Sequence, residues 1–225
     1  MGRFDRRRAI WWTGLGLVVA GLAVLGWVAW QFWGTNWVSQ RTHDRIVDQV
    51  EQEWNKEIGP TERATRVHVP EGEVLALVRI PRFGDDYVVP VLAGVGDTAL
   101  SSGYGHFSDS AEPGEVGNFA LAAHRVTHGE PLRNMPSLKV GDEIIIETRE
   151  ATYTYQLTTG GNDLEVPFTA GWVLADVPTN PQAGGVQPVQ EPGQKLITLT
   201  TCSELFHTDN RLVAFGELIG EQPRT

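Results

Sequence analysis

The sequence predicts a mainly β protein, a closed or nearly closed β-barrel with a few short helices, preceded by one N-terminal membrane-spanning helix. Residues 9–33 form a run of 25 residues without a charged side chain. As a helix, such a run is long enough to cross the roughly 30 Å hydrocarbon core of a bilayer. From residue 74 onward the chain divides into short segments rich in Val, Ile, Thr, Leu and Tyr, separated by Gly, Pro and Asp. That pattern is typical of barrel strands.

The apolar run predicts an uncleaved single-pass anchor in the cell membrane. Four arginines lie within the tail formed by residues 1–8, and the positive-inside rule places such a cluster in the cytoplasm and the rest of the chain outside the cell. A cleaved signal peptide is the alternative. The run is longer than the apolar region of a signal, and Trp27, Trp30 and Trp33 stand where small cleavage-site residues are expected.

Charge and cysteine content limit the classes of function. The whole chain has a net charge of −10, and the part after residue 33 has 14 basic and 27 acidic residues, a net charge of −13. A domain this acidic does not bind nucleic acid through bulk electrostatics. Cys202 is the only cysteine, so no intrachain disulfide forms. In an exported protein, a lone thiol is expected either to be buried or to take part in the chemistry of the protein.

Residues 34–72 are predicted as a juxtamembrane helix and a polar linker. Apolar side chains recur at helical spacing among charged ones, at Ile46, Val47, Val50 and Trp54. Gly59 and Pro60 end the helix, and residues 61–72 form the linker. The favoured interpretation of the whole region is a solvated stalk without chemistry.

Residues 73–222 are predicted as the folded domain. Its strands are expected at 74–80, 87–92, 118–123, 144–148, 152–158, 196–200 and 212–218, with brief helices at 97–102 and 131–138. A stretch rich in Pro, Gly and Gln at 178–193 indicates one long loop, and loops of that length are usually functional or disordered.

Cys202 is the first candidate for chemistry, although a lone cysteine is most often a small buried hydrophobe. It ends the strand 196–200, where a side chain emerges at the rim of a sheet. A thiol has an unperturbed pKa of about 8.5 and needs a partner to react at neutral pH. His124, which follows the strand 118–123, is the natural partner, while His106, His128 and His207 are surface or core alternatives.

Arg211 begins the final strand nine residues after the cysteine, and a hairpin would return it to the thiol. Its charge suits an oxyanion or a substrate carbonyl, and a surface salt bridge is the alternative.

The sequence Thr198-Leu199-Thr200-Thr201-Cys202, followed by Arg211, resembles the Thr-Leu-x-Thr-Cys…Arg signature of sortases. The segments 103–106, 113–118 and His124-Arg125 are similar to the stretch that leads to the catalytic histidine of that family. The resemblance covers residues 74–220 and is greatest to class E sortases of actinobacteria.

The resemblance implies an eight-stranded sortase β-barrel and a cysteine transpeptidase. It assigns Cys202 as nucleophile, His124 as general acid and base, and Arg211 as the group that stabilises the substrate. Thr200, Thr201 and Arg125 are expected to bind substrate. We expect neither a cofactor nor a metal.

The implied partners are surface proteins with a C-terminal sorting signal, Leu-Pro-x-Thr-Gly or Leu-Ala-x-Thr-Gly, which is cleaved between Thr and Gly. The acyl group then passes to an amine of a lipid-linked peptidoglycan precursor. Two alternatives remain open: a pilin polymerase that uses a pilin lysine as acceptor, and a barrel that binds sorting signals without turnover.

Overall fold

A computed structural model describes residues 3–30, 34–56, 66–202 and 209–224. Its helices are α1 (Arg3–Ala29), α2 (Thr35–Trp54) and α3 (Asp97–Ser102), with 3₁₀ turns at Pro81–Phe83, Met135–Ser137 and Gly171–Leu174. The strands are β1 (Val67–Val69), β2 (Gly72–Arg79), β3 (Val88–Ala93), β4 (Tyr104–His106), β5 (Gly117–Ala122), β6 (Glu143–Glu147), β7 (Ala151–Leu157), β8 (Leu164–Pro167), β9 (Lys195–Cys202) and β10 (Asn210–Pro223).

The strands form a closed barrel, which confirms the predicted fold class. Eight of them follow one another in the order β2-β3-β4-β5-β9-β10-β7-β6, and β6 pairs back to β2 to close the ring. β1 extends the sheet from β2, and β8 adds to β10 outside the ring. Two neighbouring pairs are parallel, β3 with β4 and β5 with β9.

Alternation along β9 and β10 separates the barrel core from the face that carries the site. Successive side chains of a strand point to opposite sides of the sheet. Ile197 and Leu199 of β9 accordingly join the buried barrel core. Thr200 and Cys202 lie on the other side, as do Val213 and Phe215 of β10. The last two pack beneath the turn Gly171–Leu174 and β8 in a separate apolar cluster.

The segment 34–72 differs from its expected structure, a solvated stalk. α2 is not a solvated stalk, because its apolar stripe, Ile46, Val47, Val50 and Trp54, is buried in one cluster with residues of β1, β2, β3 and α3. A stripe that wide stabilises a helix only when it is covered by another element. The expected linker at 61–72 also contains β1, which pairs with β2, while residues 61–65 lie outside the described residues.

The N-terminal helix has the length and composition that membrane crossing requires. Within α1, Ile10–Val28 is long and apolar enough to span a bilayer, which is compatible with a single-pass anchor. The helix begins at Arg3, inside the basic tail. The far end of the expected anchor, residues 31–33, is outside the described part of the chain.

Candidate active site

Cys202 and Arg211 are direct cross-strand neighbours. The antiparallel register of β9 and β10 pairs Cys202 with Arg211. Directly opposite residues of such a pair point to the same face, with Cβ atoms about 4.5–5.5 Å apart. Both side chains are partly exposed, and the Arg211 guanidinium also donates from Nη1 to the Asn210 carbonyl at 2.9 Å. The hairpin predicted from the spacing therefore places a fixed cation beside the thiol.

His124 reaches the same sheet edge through the parallel pairing of β5 with β9. Ala122 is in register with Thr200, and the Ala123 N–H donates to the Thr200 carbonyl at 3.2 Å. The Thr201 hydroxyl donates in return to the Ala123 carbonyl at 2.7 Å. Because parallel strands end at the same edge, these bonds bring His124 and Cys202 to the same edge of the sheet.

A cavity of about 310 Å³ brings the three predicted residues together, since His124, Cys202 and Arg211 all line it. Most of its other walls are apolar side chains, from Val95, Leu100, Phe107, Ala122, Val166, Phe168, Val173 and Leu174. Phe168 stands at the rim, 61% exposed. The cavity thus joins a small polar centre to an apolar groove, as expected of a site that binds a ligand with an apolar side chain.

The His124 imidazole is held in its neutral form. Burial, assisted by the neighbouring His128, lowers the pKa of His124 to about 4, and the Asp97 carboxylate opposes this shift. The His124 and His128 rings stack with centroids 4.8 Å apart, and burial also lowers the pKa of His128. A neutral imidazole beside a thiol can accept its proton. Sequence reasoning missed Asp97, whose only signal was its place at the start of α3.

Two of the three residues expected to bind substrate line the cavity. Thr200 is buried and shares the face of Cys202. Thr201 also lines the cavity and braces the end of β5 through its bond to Ala123. The Arg125 guanidinium donates to the Cys202 carbonyl at 3.4 Å and so contacts the main chain at the end of β9. Substrate binding by these three residues stays a prediction.

The other candidate histidines have different surroundings. His106 is 3% exposed, and its Nε2 lies 3.0 Å from both the Ala111 carbonyl and the Ser110 hydroxyl. It therefore belongs to a local hydrogen-bond network of the barrel wall. His207 lies outside the described residues. Over the described ranges, no group of three or more His, Cys, Asp or Glu side chains is placed to hold a metal ion.

The fold and the site together define a β-barrel protein with a cysteine, histidine and arginine site in a surface groove. Comparison with known families is consistent with this class. The family model described as "Sortase domain" matches residues 78–219, which include all three residues of the site. The chain belongs to the sortase family.

Individual relatives are similar over most of the chain. Sortase SrtE1 of Streptomyces coelicolor is 30% identical over 215 residues, which are 92% of this chain and 56% of that protein. The chain thus spans just over half the length of this curated relative. Sortase E from Streptomyces avermitilis is 33% identical, with a TM-score of 0.58 over 69% of this chain and 93% of that one. A crystal structure of Sortase E1 from Streptomyces coelicolor with a tripeptide in the active site is 31% identical, with a TM-score of 0.58 over 70% and 94% of the two chains.

Proposed function

We propose that the protein is a membrane-anchored cysteine transpeptidase that cleaves a sorting signal between Thr and Gly. Cys202 is the nucleophile, His124 the general acid and base, and Arg211 the cation that stabilises the oxyanion. The observation that carries the proposal is the direct cross-strand pairing of Cys202 with Arg211, in a cavity that His124 also lines. A nucleophile, a proton acceptor and a fixed cation are the groups that acyl transfer requires.

The first half of the reaction forms a thioacyl-enzyme. The neutral imidazole of His124 accepts the Cys202 proton as the sulfur approaches the substrate. The resulting thiolate attacks the Thr carbonyl carbon, and the carbonyl oxygen becomes an oxyanion beside Arg211. The His124 imidazolium then donates the proton to the Gly nitrogen as the C–N bond breaks. A free amine leaves, and the Thr acyl group stays on sulfur.

The second half transfers the acyl group to an acceptor amine. Neutral His124 accepts a proton from the incoming amine as its nitrogen attacks the thioester carbonyl, again beside Arg211. When the intermediate collapses, the C–S bond breaks and the proton returns to the Cys202 sulfur. The products are a new amide and the starting enzyme, so the bonds and protons balance without a cofactor.

The groove supports a sorting signal as substrate. Its apolar wall, formed in part by Val166, Val173 and Leu174, suits the leucine of Leu-Pro-x-Thr-Gly or Leu-Ala-x-Thr-Gly, because burial of one leucine contributes about 1.5–3 kcal/mol. The bound tripeptide in Sortase E1 of Streptomyces coelicolor shows that a related active site accepts a short peptide. The donors are then surface proteins that bear such a signal.

The N-terminal helix supports the proposed location and acceptor. With residues 1–8 in the cytoplasm and 9–33 as the anchor, the domain at 73–222 stands outside the cell membrane, where lipid-linked peptidoglycan precursors carry amines. The segment 34–72 joins the two, with α2 packed on the barrel. The proposed product is a surface protein joined to the wall precursor.

The test uses the full chain in detergent micelles with quenched Leu-Pro-x-Thr-Gly and Leu-Ala-x-Thr-Gly peptides. We expect cleavage between Thr and Gly, faster with hydroxylamine or an amine acceptor, and none with Cys202→Ala. Adding a lysine-bearing pilin peptide as a competing amine separates a pilin polymerase from a wall-anchoring enzyme. Peptide binding without cleavage, even with hydroxylamine, would instead establish the non-catalytic barrel.

A further inference from the structure

The first turn of α2 contacts the loop that follows the proposed catalytic histidine. The Asn36 side chain bridges two residues of that loop: its Oδ1 accepts from the Gly129 N–H at 3.1 Å, and its Nδ2 donates to the Glu130 carboxylate. One amide thus satisfies a main-chain donor and a side-chain acceptor of the loop, although 93 residues of sequence separate Asn36 from Gly129.

The contacted loop is a tight turn in an unusual conformation. The Glu130 N–H donates to the Thr127 carbonyl at 3.1 Å, and the two central residues, His128 and Gly129, have φ of 55° and 81°. Glu130 itself has φ of 52°. Side chains disfavour this left-handed region, so His128 and Glu130 keep it only where surrounding contacts hold them. The bonds to Asn36 are such contacts.

α2 makes a second close contact with the turn at His43. A Cβ atom added to Gly129 would lie 2.6 Å from the His43 Cε1 atom, a distance at which something must shift. His43 is 5% exposed, so its ring fills the space above the turn. Asn36 and His43 therefore fit the turn closely against α2.

Through His128, this turn also contacts His124. The His128 ring stacks on the His124 ring, with centroids 4.8 Å apart and planes 29° from parallel. The Leu132 N–H donates to the His124 carbonyl at 3.0 Å, which closes the loop on the barrel core. A change in the conformation of the turn at His128 would therefore move the ring that supports His124.

We propose that α2 is a positioning element of the active site and that Asn36 is its positioning residue, which holds the His128-Gly129 turn and thereby the ring of His124. The inference rests on the proposed role of His124. α2 begins at Thr35, directly after the apolar run, so the segment next to the membrane anchor also completes the site.

The experiment compares Asn36→Ala with Gln40→Ala in the full chain in detergent micelles. Gln40 is an exposed residue of the same helix and makes no hydrogen bond to the described residues of the turn, so its substitution removes an amide without removing such a bond. For Asn36→Ala we expect kcat for peptide cleavage to fall about tenfold, because His124 is misplaced. KM should change less than about twofold, because the groove is intact. Gln40→Ala should behave as the unchanged protein.

Hydrogen exchange separates this inference from the proposed function. Exchange of the main-chain amides at 124–132 should be faster in Asn36→Ala than in the unchanged protein, with no change in β9, whether or not the peptide is a substrate. If the unchanged protein does not cleave the peptides but Asn36→Ala still shows faster exchange at 124–132, only the proposed function is refuted. Unchanged exchange at 124–132 together with an unchanged kcat would refute the role of Asn36.

A double substitution tests the contact itself. Asn36→Asp alone keeps the acceptor for Gly129 but brings a carboxylate against that of Glu130, so kcat should fall. Combining it with Glu130→Gln exchanges the amide and the carboxylate and restores both hydrogen bonds. We expect the pair to recover most of the lost kcat. Additive losses in the double variant would show that the two side chains do not act through each other.

Discussion

His43 is expected to make the folded domain sensitive to acid. His43 is a residue of α2 with a buried side chain, and within the described part of the chain its Nε2 has no hydrogen-bond partner. Burial lowers the pKa of His43 from 6.5 to about 4. The unfolded chain, in which the ring is hydrated, binds a proton at the higher value. Between these two pKa values the unfolded state therefore holds more protons than the folded state.

The sign and size of the effect follow from this difference. The contribution of a neutral His43 is complete above pH 6.5 and is lost as the pH falls towards 4. At about 1.4 kcal/mol per pKa unit, the full loss is about 3 kcal/mol, and about 2 kcal/mol of it is reached near pH 5. For a domain of this size, the loss of about 2 kcal/mol near pH 5 corresponds to a fall in Tm of about 4–8 °C.

The substitution His43→Leu tests this expectation, because leucine keeps apolar packing against Gly129 and cannot be protonated. Urea unfolding of the full chain in micelles, followed by circular dichroism, gives the free energy of unfolding at about pH 7.5 and about pH 5. Between these conditions the variant should lose about 2 kcal/mol less than the unchanged protein. Other buried histidines, such as His106, contribute equally to both proteins. Equal losses in the two proteins would show that His43 is solvated or paired in the folded state.

Three substitutions in the site have distinct expected outcomes. Cys202→Ala should abolish peptide cleavage while Tm changes by less than about 2 °C, because a partly exposed thiol contributes little packing; unfolding would instead identify a core cysteine. Arg211→Lys should lower kcat about a hundredfold, since an ammonium does not reproduce the planar guanidinium; near-normal rates would remove Arg211 from the site. Thr201→Val should destabilise the domain by about 1–3 kcal/mol in urea unfolding, because the buried Ala123 carbonyl loses its donor; unchanged stability would show that water replaces the hydroxyl.

The sequence predicted the described strands of five or more residues and missed the shorter ones. β9 alternates along 196–200, and Arg211 follows Cys202 by only nine residues, so the Cys202–Arg211 pair could be predicted from the sequence. β1, β4 and β8 have three or four residues each, too few to show a period of two. Their pairing depends on neighbouring strands rather than on their own composition.

The sequence predicted which three side chains meet in the cavity and missed their surroundings. Strand ends indicated Cys202 and His124, and nearness in sequence indicated Arg211. The helical stripe of α2 was visible as well, but not the barrel surface that covers it, and its interpretation as a stalk was wrong. The stacking of His128 on His124 and the field of Asp97 arise from contacts between separate elements, which periodicity does not reveal.

The role of Cys202 as nucleophile is tested by the intact mass of the full chain after brief incubation with a sorting-signal peptide and quenching in acid. We expect an added mass equal to the peptide fragment that ends at Thr, located on Cys202, released by hydroxylamine and absent from Cys202→Ala. If the unchanged protein cleaves the peptide without forming an adduct, and Cys202→Ala still cleaves it, Cys202 is not the nucleophile.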